Sequence, residues 1–202
     1  MKLVRRALWL VGATLAYNVI EAGVAVWAGA QAGSIALLGF GLDSVIECAA
    51  AAVLLWRLWV ETKSDDPGRV ETAERRAHRF VGVTFLALAA YVMVEAVTTL
   101  VSGDHPESSP VGIALAAVSL VVMPLLAWAK LRTAAGLGSG ALRAEARETL
   151  ACAYLSLALL LGLTLNAAVG WWWADPAAAL FMVPWLVREG VEGVRGEDQA
   201  GR

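Results

Sequence analysis

The run "GFGLDSVIECAA", residues 39–50, sets two carboxylates, Asp43 and Glu47, in an otherwise apolar stretch. On a helix, residues i and i+4 project from one face, so both acids point the same way. An ionisable side chain at the centre of a membrane span costs roughly 2.5–3.5 kcal/mol on insertion scales. Two such groups side by side add like-charge repulsion to desolvation. Unpaired, at least one would take up a proton; a bound cation relieves both problems at once. The fold therefore turns on whether this stretch lies in a bilayer.

Composition places it there. The chain of 202 residues is 59% hydrophobic and only 17% charged, with mean hydropathy +0.65. A soluble domain of this length needs far more charge on its surface. A net charge of −2 implies no nucleic-acid partner. Nine Trp outnumber four Phe and three Tyr, and Trp favours membrane interfaces. Cys48 and Cys152 both fall in apolar runs, which reads as two small buried residues rather than a disulfide.

Six apolar stretches are long enough to cross a bilayer as helices: Ala7–Ala28, Ser34–Val60, Phe80–Val101, Val111–Ala129, Leu150–Ala168 and Asp175–Val191. The fifth begins earlier, near Leu142, with a polar first part. Open backbone cannot face lipid, and the period-2 alternation of a barrel strand is absent, so the spans are helices. The expected fold is all-α, a six-transmembrane-helix bundle over residues 1–193 with a short polar tail at 194–202. All 16 Lys and Arg fall at the N-terminus, between residues 57 and 79, between 130 and 147, or from Arg188 onward. The alternate links "AGAQAG", "SGDHPESSP" and "NAAVGWWWADP" contain none. The positive-inside rule then puts both termini in the cytoplasm, with the plasma membrane the expected location. Trp171, Trp172 and Trp173 read as an interfacial anchor, with Asp175 and Pro176 starting the last helix.

The other intramembrane polar residues are Asn18 and Glu21, Glu95, and a fifth-span set that includes Glu145, Glu148 and Cys152. Glu148 and Cys152 repeat the i, i+4 spacing, and both side chains ligate metals. Two helices that each present two ligands one turn apart make a four-ligand cage suited to a tetrahedral divalent ion. The plain alternatives are that Asp43 and Glu47 make packing hydrogen bonds to Asn18 or Ser44, that Glu148 lies at the interface beside Arg147, and that Cys152 only packs. Cys48, one residue beyond Glu47, is rotated about 100° from it and should point away from such a cage.

The segment "GSIALLGFGLDSVIE", residues 33–47, resembles the second span of the cation diffusion facilitator family. There a Gly-Ser and small apolar run leads to an Asp or His, with an Asp four residues later. "AEARETLAC", residues 144–152, is similar to the start of that family's fifth span, and "GWWWADPAAAL", residues 170–180, to its entry into the sixth. Glu95 in "YVMVEAVTTL" falls where the third span often has a Glu. The resemblance implies efflux of a divalent cation, zinc first, by exchange with protons, and a homodimer in the membrane. It matches Asp43 and Glu47 to the two second-span ligands, and Glu148 and Cys152 to the two of the fifth span. Three departures accompany it. Glu47 stands for the usual Asp, which widens the cage. Glu148 and Cys152 replace the usual His or Asp and Asp. The chain stops soon after the sixth span, where the family usually adds a cytoplasmic metal-binding domain.

Small residues such as Gly39, Gly41, Ala151 and Ala153 allow close helix contact. With three acids and a thiol as ligands, metal and protons compete for the same atoms. Neither an enzyme nor a resident cofactor is expected: the metal is the transported substrate. An intramembrane enzyme using Asp43 and Glu47 as an acid pair has no nucleophile or phosphate-binding motif to support it. A non-transporting metal sensor, or a partner subunit of a larger complex, is the alternative reading.

Overall fold

The computed structural model of the chain describes residues 2–61, 67–138 and 140–195, with side chains described except at 2, 4, 50–78, 140–141 and 144. The expected tail from residue 196 and part of the link after the second span lie outside these residues. Among the described residues the secondary structure is helical throughout: α1 (Lys2–Ala32), α2 (Ile35–Glu61), α3 (Pro67–Ser102), α4 (Pro110–Leu137), α5 (Gly140–Val169) and α6 (Ala174–Arg195). Each expected apolar stretch lies in one of these helices, apart from Ser34, which stands just before α2. Among the described residues, four helices carry segments long and apolar enough to cross a membrane, at Arg5–Ala32, Arg79–Ser102, Pro110–Leu137 and Glu145–Val169.

Burial is inverted relative to a water-soluble domain. Trp9, Ile20, Val101, Leu125 and Leu161 are exposed, whereas Glu21, Asp43, Lys130 and Asp175 are buried. Lipid solvates the first group without cost, and the second must find partners inside the protein. This is a multi-pass membrane protein.

Helix contacts run in a closed order, α1 with α2, α2 with α3, α3 with α6, α6 with α5, α5 with α4 and α4 with α1, while α2 also touches α5 and α6. Phe40, Leu37, Val92, Leu155, Leu159 and Met182 build the core around α2. Gly41 lets α1 and α2 approach, since a Cβ there would lie 2.8 Å from the Val26 backbone nitrogen and 2.9 Å from the Ala25 side chain. That contact brings the polar residues of α1 against the acid-bearing face of α2.

The Gly-Ser pair before α2 has a local physical reason. Gly33 takes φ 63° to end α1, and Ser34 caps α2 by accepting from the Leu37 N–H at 3.1 Å. Ser109 caps α4 in the same way, accepting from the Gly112 N–H at 3.1 Å ahead of Pro110.

One sequence expectation is corrected. The link between the fourth and fifth spans, expected to carry Lys130, Arg132, Arg143 and Arg147, is almost entirely helix. The helix-forming run "LRTAAGL" prolongs α4 to Leu137, and Gly138 at φ 63° stops it. Lys130 is buried within α4. Its ammonium donates to Glu145 Oε1 and Thr149 Oγ1 of α5, both at 3.0 Å.

Candidate metal centre

The i, i+4 spacing on α2 does what it predicts. Asp43, 2% exposed, and half-buried Glu47 lie on one face and meet α5 at Cys152, also 2% exposed. One ligand atom from each of these three residues lies within 4.8 Å of the others. The Cys152 thiol donates to Glu47 Oε1 at 2.8 Å, and the Asn18 amide on α1 donates to Glu47 Oε2 at 2.8 Å. Asp43 Oδ1 and Asn18 Oδ1 are buried with no hydrogen-bond partner among the described residues. In hydrocarbon an unpartnered buried oxygen is costly, and such groups in native structures call for an explanation.

A second buried carboxylate lies alongside. Glu21 of α1 accepts from Ser44 Oγ at 3.0 Å through one oxygen and from Ser119 Oγ of α4 through the other. Tyr17 Oη lies 2.7 Å from Ser119 Oγ and extends the network. Glu21 is thus fully partnered, joining α1, α2 and α4 beside the three clustered ligands.

Of the four ligands expected from sequence, the structure brings Asp43, Glu47 and Cys152 together and leaves Glu148 outside the group. Glu148 is exposed, one turn before Cys152 on α5. A residue four positions back is displaced about 6 Å along the axis and about 40° around it. With Cys152 at the contact with α2, that displacement carries Glu148 toward the helix end. Cys48 is half-buried and outside the group, as its rotation past Glu47 predicts. Asn18, expected from sequence as a hydrogen-bond partner of these acids, makes that bond to Glu47. Its signal was the polar pair Asn18 and Glu21 at i, i+3 in an apolar span.

Two carboxylates and a thiol form a borderline-soft donor set. Donors held at zinc distances in a tetrahedron lie roughly 3.3–3.7 Å apart. To hold an ion, the three ligand atoms would have to move from within 4.8 Å of one another into that range, with loss of the thiol proton.

At the far end of α2, Asp175 starts α6 as expected and also takes part in a contact between helices. It lies in the first turn of α6 yet faces α2, accepting from Ser34 Oγ at 2.5 Å and the Ile35 N–H at 2.9 Å. Trp171 and Trp173 stack on each other just before α6, with ring centroids 5.2 Å apart, and both are exposed.

Residues 11–195 match the family model of the cation efflux transmembrane domain. An uncharacterized transporter of Synechocystis sp. is 29% identical over 194 residues, covering 91% of this chain and 61% of that relative. The chain thus spans about three-fifths of that relative's length. The family match takes in most of α1 and all of α2 to α6, and the chain belongs to the cation efflux family.

Proposed function

We propose that this protein moves a divalent cation, zinc first, out of the cytoplasm across the plasma membrane in exchange for protons. The observation that carries this reading is the convergence of Asp43, Glu47 and Cys152, with one Asp43 oxygen buried and without a partner among the described residues. Each of these groups binds metal only when deprotonated, so metal and protons compete for the same atoms. A bundle that opens this centre alternately to each side would exchange one for the other, with the inward proton gradient driving efflux. The thiolate favours zinc or cadmium over magnesium or manganese.

All six helices span the membrane in this reading, and both termini lie in the cytoplasm. The arrangement of Lys and Arg supports that orientation, since the ends of the helices that carry them are the ones it assigns to the cytoplasm. Glu148 is exposed one turn nearer that end, where it would offer a carboxylate to an ion on its way from the cytoplasm to the centre. The homodimer implied by the family resemblance forms through the membrane helices.

Zinc flux in sealed vesicles containing only this protein tests the proposal. Zinc should enter the lumen when an outward-directed proton gradient is imposed, and a protonophore should abolish the gradient-driven part. Zinc binding without flux under any imposed gradient would replace the transporter with a metal sensor or a subunit.

A further inference from the structure

Two buried acceptor oxygens have no partner among the described residues, Oδ1 of Asp43, a member of the cluster, and Oδ1 of Asn18, whose amide is bonded to Glu47. Neither can satisfy the other, because a carboxylate and an amide carbonyl both only accept. A cation in the cluster would satisfy Asp43 Oδ1 directly, and Asn18 Oδ1 once the amide turns its oxygen toward Glu47. Asn18 is 6% exposed, and its amide is tied to the centre by the 2.8 Å bond from Nδ2 to Glu47 Oε2. The three clustered ligands leave a tetrahedral ion one donor short. Glu148, the fifth-span alternative, lies outside the cluster and exposed.

We infer that Asn18 supplies the fourth ligand through its side-chain carbonyl, so that α1 closes the metal site between α2 and α5. This rests on the reading of Asp43, Glu47 and Cys152 as a metal site. The amide need only turn over about its terminal torsion, exchanging Nδ2 and Oδ1 in nearly the same volume. Before metal arrives, the N–H group faces Glu47 and holds it. Turned over, Oδ1 would stand 2.8 Å from Glu47 Oε2, a repulsive contact of two acceptors. With an ion between them the contact becomes favourable. Two oxygens on a tetrahedral zinc are roughly 3.3–3.6 Å apart, so the pair opens by only about half an ångström or slightly more. The metal therefore selects the turned-over amide. A neutral amide oxygen also leaves the site one negative charge lighter than a third carboxylate would, which eases release of the ion. Because the ligand set then spans three helices, motion of α1 against α2 and α5 would open it.

Cobalt(II) bound to the purified protein is the probe, because each coordinating thiolate adds sulfur-to-cobalt charge-transfer absorbance. Asn18→Cys should about double that absorbance per bound cobalt, whereas Glu148→Cys should leave it at the parent level. Asn18→Ala should weaken zinc binding by about ten- to a hundredfold. Asn18→Asp, which keeps an oxygen but lacks the N–H donor, should bind zinc at least as tightly as the parent. A residue that merely held Glu47 through its N–H would give the reverse. Asn18→Asp would then bind as weakly as Asn18→Ala and Asn18→Cys would add no absorbance, which overturns the inference. Doubled absorbance in Glu148→Cys but not in Asn18→Cys overturns it equally. Asp43→Ala separates the two levels. If it binds cobalt like the parent, the three-residue site itself is wrong. If it loses cobalt while the Asn18 variants behave like the parent, only the role of Asn18 falls.

Discussion

Asp43 and Asp175 are both buried aspartates of this membrane protein, 2% and 0% exposed, yet their oxygens are treated in opposite ways. Asp175 reaches from α6 to the start of α2 and accepts from the Ser34 hydroxyl and the Ile35 N–H. Those donors belong to the positive end of a helix, where N–H groups lack intrahelical partners. Asp43, near the middle of the same helix, keeps an oxygen without a donor among the described residues. Glu21 sides with Asp175, since serine hydroxyls bind both of its oxygens. Burial of a carboxylate is therefore not what distinguishes a ligand site from a brace. What marks the site is the Asp43 oxygen that has no donor among the described residues; Glu47 has a donor on each oxygen and would exchange the Cys152 S–H for metal.

The strongest way to break this contrast is Asp43→Ala. It removes an unpartnered buried charge, so the protein should insert and fold, while zinc affinity falls by about a hundredfold or more and vesicle flux drops to the protein-free level. Flux and affinity comparable to the parent would remove Asp43 from the site.

Asp175→Ala should do the opposite, acting on stability rather than on metal. It strands the Ser34 hydroxyl and the Ile35 N–H, each worth about 1–3 kcal/mol when buried and unmatched. Thermal unfolding in detergent should show a loss of that order, partly recovered in Asp175→Asn, which keeps an acceptor. Zinc affinity of the folded fraction should stay within about threefold of the parent, since the brace sits at the other end of the α2 segment that carries the ligands. Loss of zinc binding at unchanged thermal stability would make Asp175 part of the site and dissolve the contrast.

Cys152 sharpens the comparison through selectivity. Cys152→Asp should still transport zinc but lose preference for cadmium by about tenfold, because a carboxylate is harder than a thiolate. Cys152→Ala should weaken binding of both ions, and bound zinc should protect the parent thiol from alkylation. The smallest effect is expected at Cys48, half-buried and rotated out of the group, where substitution by Ala should leave zinc affinity unchanged. A larger loss at Cys48 than at Cys152 in the same titration would show that α5 meets α2 in a different register.

Much of the fold was legible in the chain because a bilayer imposes one rule everywhere. Backbone polar groups must be satisfied within each span, so long apolar runs become helices and their limits follow hydropathy and caps. The Gly33–Ser34 turn and the helix start near Asp175 were readable for the same local reason. The extension of α4 past Lys130 was less so, because a basic residue normally marks the end of a span, and here Glu145 and Thr149 of a neighbouring helix provide for it.

By itself, the sequence determined that Asp43 and Glu47 share a face, since 3.6 residues per turn is a property of the helix alone. It equally determined that Cys48 turns away from that face. Only the tertiary structure decided which member of the Glu148 and Cys152 pair meets them, that Asn18 of α1 bonds Glu47, and that Asp175 reaches across to the start of α2. Those outcomes depend on where helices cross and how closely they approach. Gly41 against Ala25 and Val26 sets one such approach, and the packing of α5 against α2 sets the other. Helical periodicity fixes angles about one axis, whereas a site between helices is set by the distances between axes, which no single span encodes.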